Sequence, residues 1–130
     1  MKDVILIVDD EENLVELLAV NLLAQGFEVV VARNGEEGLR KAQEKMPRAV
    51  LLDVRLPVLS GIEVCRRMKE DSATCNIPII FVSASAQKDT VEKALAKGGS
   101  LFIKKPFDPA EVITALKKLI AKEPNSCSES

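Results

Sequence analysis

The chain contains no histidine. That absence excludes Ser-His and Cys-His nucleophilic pairs, His-ligated metals and imidazole acid–base chemistry. Any metal bound here is held through oxygen, which favours a hard cation: magnesium, manganese or calcium. Cysteine is scarce as well. Cys65, Cys75 and Cys127 are odd in number and show no Cys-x-x-Cys spacing. They read as reduced thiols, two packed or near the surface and one in the tail, and no zinc site is expected. The longest apolar runs are about strand length, far below the ~20 residues that span a bilayer. The start, MKDVILIVDDEEN, meets acids too soon for a secretory signal. No basic cluster is interleaved with aromatics. With 18 Lys and Arg against 20 Asp and Glu, the net charge of −2 leaves no electrostatic footprint for nucleic acid. The expectation is a cytoplasmic protein with no membrane contact and no direct nucleic-acid binding by this chain.

What is present alternates regularly. The 130 residues suit one domain with one sizeable core. VILIV (4 to 8) and AVLLD (49 to 53) are continuous apolar runs, the pattern of strands buried on both faces. FEVVVA (27 to 32), IPIIFVS (77 to 83) and SLFIK (100 to 104) complete five strands. Between them lie helical periodicities. The first runs from Glu11 to Ala24 through Leu14, Leu18 and Leu22. The second opens at Asn34-Gly35, carries Leu39, Ala42 and Met46 on one face, and closes at Pro47. The third carries Ile62, Cys65 and Met68; the fourth runs from about Lys88 to Lys97, with Val91 and Leu95 inward. The last carries an apolar stripe of Val112, Ile113, Leu116, Leu119 and Ile120. Five strand–helix units with short connections predict a parallel sheet covered on both faces by right-handed crossovers.

In such a sheet, ligands bind beyond the carboxyl ends of the strands. Four of the five predicted strands end in polar residues there: Asp9-Asp10, Asp53, Ser83 and Lys104-Lys105. Each has a plain structural reading. The acids of LIVDDEEN can serve a helix start, Asp53 a turn, Ser83 a cap, and Lys105 the solvent. Helix capping accounts poorly for two adjacent Asp residues. The four sets are also chemically complementary. Three carboxylates in one cleft repel and raise one another's pKa, whereas a divalent cation plus one ammonium balances them. Magnesium binds through few carboxylates and keeps waters that phosphate oxygens can replace. A carboxylate can attack phosphorus and become an aspartyl phosphate. The metal, the ammonium and the hydroxyl would then meet the charge on the phosphoryl oxygens. Asp53, alone at the end of a central strand, is the best nucleophile, and the adjacent Asp pair is better suited to metal.

The combined motifs IVDDEEN, LLDVRLPVLSG, FVSAS and FIKKPFDP resemble the response-regulator receiver domain (CheY-like) of two-component signal transduction, from about Val4 to Ile120. The resemblance implies an α/β, doubly wound, flavodoxin-like receiver fold: a five-stranded parallel sheet of order 2-1-3-4-5 with five helices. It implies that Asp53 is the phosphoacceptor. Asp9 and Asp10 hold Mg²⁺, or Mn²⁺ in its place, with Asp53 and the backbone carbonyl of Arg55. Ser83 is the switch hydroxyl and Phe102 the switch aromatic. Lys105 contacts the phosphoryl group through a site next to a cis Lys105-Pro106 bond. The expected donor is a sensor histidine kinase or a histidine phosphotransfer protein. The expected receiver of the signal is a downstream output protein or domain, reached through the face of the fourth helix, fifth strand and fifth helix. The domain is a phosphoacceptor, not a turnover enzyme, beyond self-catalysed phosphoryl transfer and autodephosphorylation.

Two departures from the family pattern matter. Phe102 replaces the commoner Tyr and cannot donate a hydroxyl hydrogen bond. Arg55, two residues past the acceptor, is long and cationic, and is expected to shield Asp53 from water. Three alternatives stand against this reading. One is a phosphorylation-independent receiver-like scaffold that only binds proteins. Another is a phosphatase of the haloacid dehalogenase type, which would want an Asp where Arg55 stands. The third is a flavin-binding electron carrier, whose phosphate loop would be repelled by DDEE. The domain is expected over residues 1–122, with 123–130 a disordered tail or the start of a linker. A monomer is expected, with dimerisation on phosphorylation left open.

Overall fold

A computed structural model of the chain describes residues 2–121. The strands are β1 (Val4–Val8), β2 (Glu28–Ala32), β3 (Ala49–Leu52), β4 (Ile79–Ser83) and β5 (Leu101–Lys104). The helices that follow them are α1 (Glu12–Ala24), α2 (Gly35–Lys45), α3 (Gly61–Glu70), α4 (Lys88–Ala96) and α5 (Pro109–Ala121). All neighbouring strands are parallel, in the order β2-β1-β3-β4-β5. The doubly wound architecture expected from the alternation is therefore the one observed.

Side chains alternate across a strand, and both sets are buried here. Ile5, Ile7, Leu51, Ile80 and Val82 pack with Val15, Leu18 and Leu22 of α1 and Val112 and Leu116 of α5. Leu6, Val8, Leu52, Ile79 and Phe81 pack on the other face with Ala42 of α2, Val64, Cys65 and Met68 of α3, and Ala94 of α4. Continuous apolar strands are thus explained by two cores, one on each side of the sheet.

Three details differ from the sequence expectation. Met46 does not share the face of Leu39 and Ala42: it ends α2 in a left-handed conformation and is 49% exposed. In α4 it is Ala94, not Leu95, that is buried, and Leu95 is 41% exposed. This short helix lies against the sheet through one small residue, so its larger side chains stay outside. Cys65 is free and buried, and burial pushes its thiol up to about 11. Cys75, by contrast, is disulfide-bonded, which corrects the expectation of three reduced thiols. An odd count leaves one thiol over but still allows one pair. Cys127 and the predicted tail lie outside the described residues.

One loop carries backbone strain. Between β3 and α3, Leu59 N–H donates to the Pro57 carbonyl at 2.8 Å. This closes a γ-turn over Val58, whose φ is 72°. The left-handed region costs an L-residue about 1–2 kcal/mol, and β-branching adds to it. Val58 is 73% exposed and recovers little by packing. Val58→Asn is therefore expected to stabilise the domain by about 1 kcal/mol, raising the melting temperature by roughly 4 °C. Thermal unfolding followed by circular dichroism checks this, and a lower midpoint would show that Val58 packs usefully where it stands.

Candidate functional site

The carboxyl ends of β1, β3, β4 and β5 meet at one edge of the sheet, as parallel pairing requires. Side-by-side register sets Val8 against Leu52 and Ser83 against Lys104. The residues just past these strands therefore converge. One oxygen of each of Asp9, Asp10 and Asp53 lies within 4.8 Å of the others, so the three can hold a metal ion together. Asp9 and Asp53 are buried and Asp10 is exposed. Lys105 closes the cluster. Its Nζ donates to Asp9 Oδ2 at 3.1 Å and to Asp53 Oδ2 at 3.2 Å.

Each carboxylate is aimed by local backbone. Asp9 Oδ1 accepts the Glu11 amide at 2.9 Å, and Asp53 Oδ1 accepts the Arg55 amide at 3.3 Å. The α1 N-cap is Glu11, which makes no side-chain capping bond. Capping therefore does not explain the paired acids, in contrast to α2 and α3. There Asn34 and Ser60 accept the amides of Glu37 and Glu63.

Burial raises the Asp9 carboxyl above its usual range, the Glu11 amide and Lys105 pull it back, and the nearby charge of Asp53 raises it again. Burial alone would lower Lys105. Its hydrogen bond to Asp9 and the charges of Asp53 and Asp9 outweigh that, and hold the ammonium above the usual lysine value. The carboxylates thus strengthen the charge of the one ammonium among them, while the buried Asp9 carboxyl stays raised. A divalent cation is the complement the donor set is built for.

Sequence reading missed one member of the cluster. Glu11 Oε1 lies 3.5 Å from Lys105 Nζ, so a further acid of DDEE faces the ammonium. The run of four acids was the signal for it. The remaining expected residues fall around the cluster. Ser83 is fully buried, and its Oγ accepts the amide of Ser85 at 3.1 Å. Phe102 is half-buried and stacks on Phe81. Arg55 is exposed, and beside Asp10 and Ser60 it lines a shallow cavity of about 490 Å³. The Lys105-Pro106 peptide is cis, and Lys104, its strand neighbour, points to solvent.

A doubly wound sheet with an acidic, lysine-bearing cleft at its carboxyl edge belongs among the flavodoxin-like α/β domains. The family model for the response regulator receiver domain matches residues 5–117, and the chain belongs to that family. It is a signalling domain of the two-component type. It is 38% identical over 122 residues to the alkaline phosphatase synthesis transcriptional regulatory protein PhoP of Bacillus subtilis, covering 94% of this chain and 50% of that one. The chain thus spans about half the length of the curated relatives it matches. A putative response regulator from Chloroflexus aurantiacus superposes with a TM-score of 0.89 at 30% identity, covering 94% of this chain and all (100%) of the other. The receiver domain of the sensor histidine kinase PA1611 from Pseudomonas aeruginosa was solved with a magnesium ion coordinated in its active site cleft. It superposes with a TM-score of 0.87 at 29% identity, covering 94% of this chain and 100% of that domain. Among the described residues no helix is long and apolar enough to cross a membrane.

Proposed function

We propose that Asp53 accepts a phosphoryl group from a phosphohistidine of a sensor histidine kinase or phosphotransfer protein, with Mg²⁺ bound by Asp9, Asp10, Asp53 and the Arg55 carbonyl. The observation that carries this is the placement of Lys105 Nζ, 3.2 Å from Asp53 Oδ2, beside three carboxylates able to share one cation. An Asp53 oxygen attacks phosphorus, the P–N bond breaks, and the donor's imidazole, already protonated on its other ring nitrogen, takes the bonding pair and leaves as the neutral ring. Lys105 meets charge on the phosphoryl oxygens, as the metal does when bound. The chain has no histidine of its own, so the donor is a partner. Ser83 then exchanges its Ser85 amide for the phosphoryl group. The face formed by α4, β5 and α5 changes its affinity for a downstream output protein or domain. The single buried residue of α4 suits a helix that must shift.

Intact mass after incubation with acetyl phosphate tests this, with and without Mg²⁺, on wild type and Asp53→Asn. The expected result is one added phosphoryl group that requires both the metal and Asp53. No gain in a folded chain would favour the phosphorylation-independent scaffold. Arg55 carries a separate prediction, because among the described residues its side chain has no ion-pair partner at the mouth of the site. Arg55→Ala is expected to shorten the phosphoryl lifetime severalfold by admitting water. Dephosphorylation no faster than wild type would remove Arg55 from that role.

A further inference from the structure

A sheet edge is a template for pairing with another chain unless something covers it. β2 forms one edge of this sheet. Its outward groups follow from its pairing with β1. The Glu28 amide donates to the Asp3 carbonyl at 2.9 Å, and the Ala32 carbonyl accepts the Asp9 amide at 3.1 Å. In a parallel ladder, alternate residues turn their N–H and C=O toward opposite neighbours. Glu28, Val30 and Ala32 therefore face β1, while Val29, Val31 and Arg33 present theirs outward.

Two of these outward groups are taken by side chains of α2. Lys41 Nζ donates to the Val31 carbonyl at 2.6 Å. Glu37 Oε1 accepts the Arg33 amide at 2.6 Å. The two side chains lie one helical turn apart, with Lys41 Nζ 3.8 Å from Glu37 Oε2, and are only 27% and 29% exposed. One residue of a sixth, parallel strand would bond the same two groups, donating to the Val31 carbonyl and accepting from the Arg33 amide. Glu37 and Lys41 thus fill the place of such a strand. Helix capping does not account for this. In a capping box Glu37 would reach back to the amide of the N-cap, Asn34, but it bonds the residue before it. Gly38 brings α2 close to the sheet, since an added Cβ there would lie 2.7 Å from Val8 Cγ1. What stays open on this edge is Val29 and the Val31 N–H, too little for a ladder.

We propose that Glu37 and Lys41 close the β2 edge against strand addition by a second copy of this chain. β5 forms the other edge, and among the described residues no side chain hydrogen-bonds its backbone. That strand belongs to the face assigned above to an output partner, so the closed edge is the one away from it. The inference does not depend on phosphorylation of Asp53.

Sedimentation velocity over a concentration series compares wild type with Glu37→Ala/Lys41→Ala, and hydrogen exchange followed by NMR reads single amides in the same samples. Each amide is compared with its free-peptide rate. In dilute wild type, the Arg33 amide is expected to be protected at least about tenfold more than the outward Val29 amide, because only the first is bonded. The Ala variant is expected to self-associate at least about tenfold more tightly than wild type, with the Val29 and Val31 amides gaining protection as concentration rises. Glu37→Gln/Lys41→Arg keeps an acceptor and a donor in place and is expected to behave as wild type. A folded Ala variant that associates no more than wild type overturns the proposal. Association that leaves the Val29 and Val31 amides unprotected does so too, since the contact then lies elsewhere. Equal association of the Gln/Arg variant would show that the two hydrogen bonds are not the barrier. A wild-type Arg33 amide no better protected than Val29 would show an open edge, and that comparison holds even where the Ala variant fails to fold.

Discussion

Lys105→Met is expected to destabilise the metal-free domain by about 3 kcal/mol at neutral pH and to slow phosphoryl uptake by roughly a hundredfold. The ammonium is largely buried and bridges two buried carboxylates at 3.1 and 3.2 Å. Removing it leaves Asp9 and Asp53 facing each other with no cation between them, so the penalty is that of uncompensated buried charge. Urea denaturation of the two proteins measures it. Added Mg²⁺ is expected to return much of the lost stability to the variant, because the cation meets the same carboxylates. Equal stability of variant and wild type without metal would show that solvent already screens the cluster.

The pH dependence has a definite sign. The folded Asp9 carboxyl lies above the ordinary aspartate value of 3.8 because burial disfavours its charged form. Its stabilising contribution is therefore complete below that value and is lost as pH rises through the folded pKa. Lys105 is also raised, above 10.5, so its contribution is complete below that value and is lost on the alkaline side as pH rises through the folded pKa. In Lys105→Met, Asp9 loses a hydrogen bond and an attractive charge, and its carboxyl moves further up. The stability gap between variant and wild type should then narrow as the solution is taken from neutrality into the carboxylate range. A gap that widened on acidification would mean that Asp9 is not the residue paying the cost.

The strands and the acidic cluster were legible because both follow from short-range pattern. β1 and β3 read as continuous apolar runs since both of their faces are covered, and the paired Asp residues stood out because neighbouring like charges need a reason. Helix faces were less legible where a helix is short or turns at its end. Leu95 looks inward by spacing, yet α4 touches the sheet through Ala94. Met46 continues the period of α2, yet the backbone turns left-handed there ahead of Pro47. The stack of Phe81 on Phe102 was hidden for a different cause. It depends on the register between β4 and β5, and a period-2 pattern is the same in every register that keeps the faces. The approach of Gly61 to the acceptor strand was hidden too, since a glycine before a helix looks the same whether its missing side chain is needed or not.

That approach carries the second large effect. Gly61 opens α3, and its amide donates to the Val54 carbonyl at 2.8 Å, folding the loop back onto the strand end that presents Asp53. A Cβ at Gly61 would sit 1.9 Å from the Asp53 carbonyl oxygen and 2.8 Å from its carbonyl carbon. Neither atom is the end of a flexible side chain, so relief requires α3 or the acceptor residue itself to move. Gly61→Ala is expected to destabilise the domain by about 3 kcal/mol or more, the upper range for overpacking a close contact. Phosphoryl uptake should fall at least about tenfold, because displacing a reacting group by around 1 Å can cost about a hundredfold in rate. Gly26→Ala is the matched control. Gly26 has a φ of +90° but nothing within 4 Å of its missing Cβ, so only conformational strain of about 1 kcal/mol applies and uptake should not change. Urea denaturation and acetyl phosphate labelling separate the two. If Gly61→Ala proved as mild as Gly26→Ala, the loop would be free to adjust, and the rigid seating of Asp53 that the site reading requires would be lost.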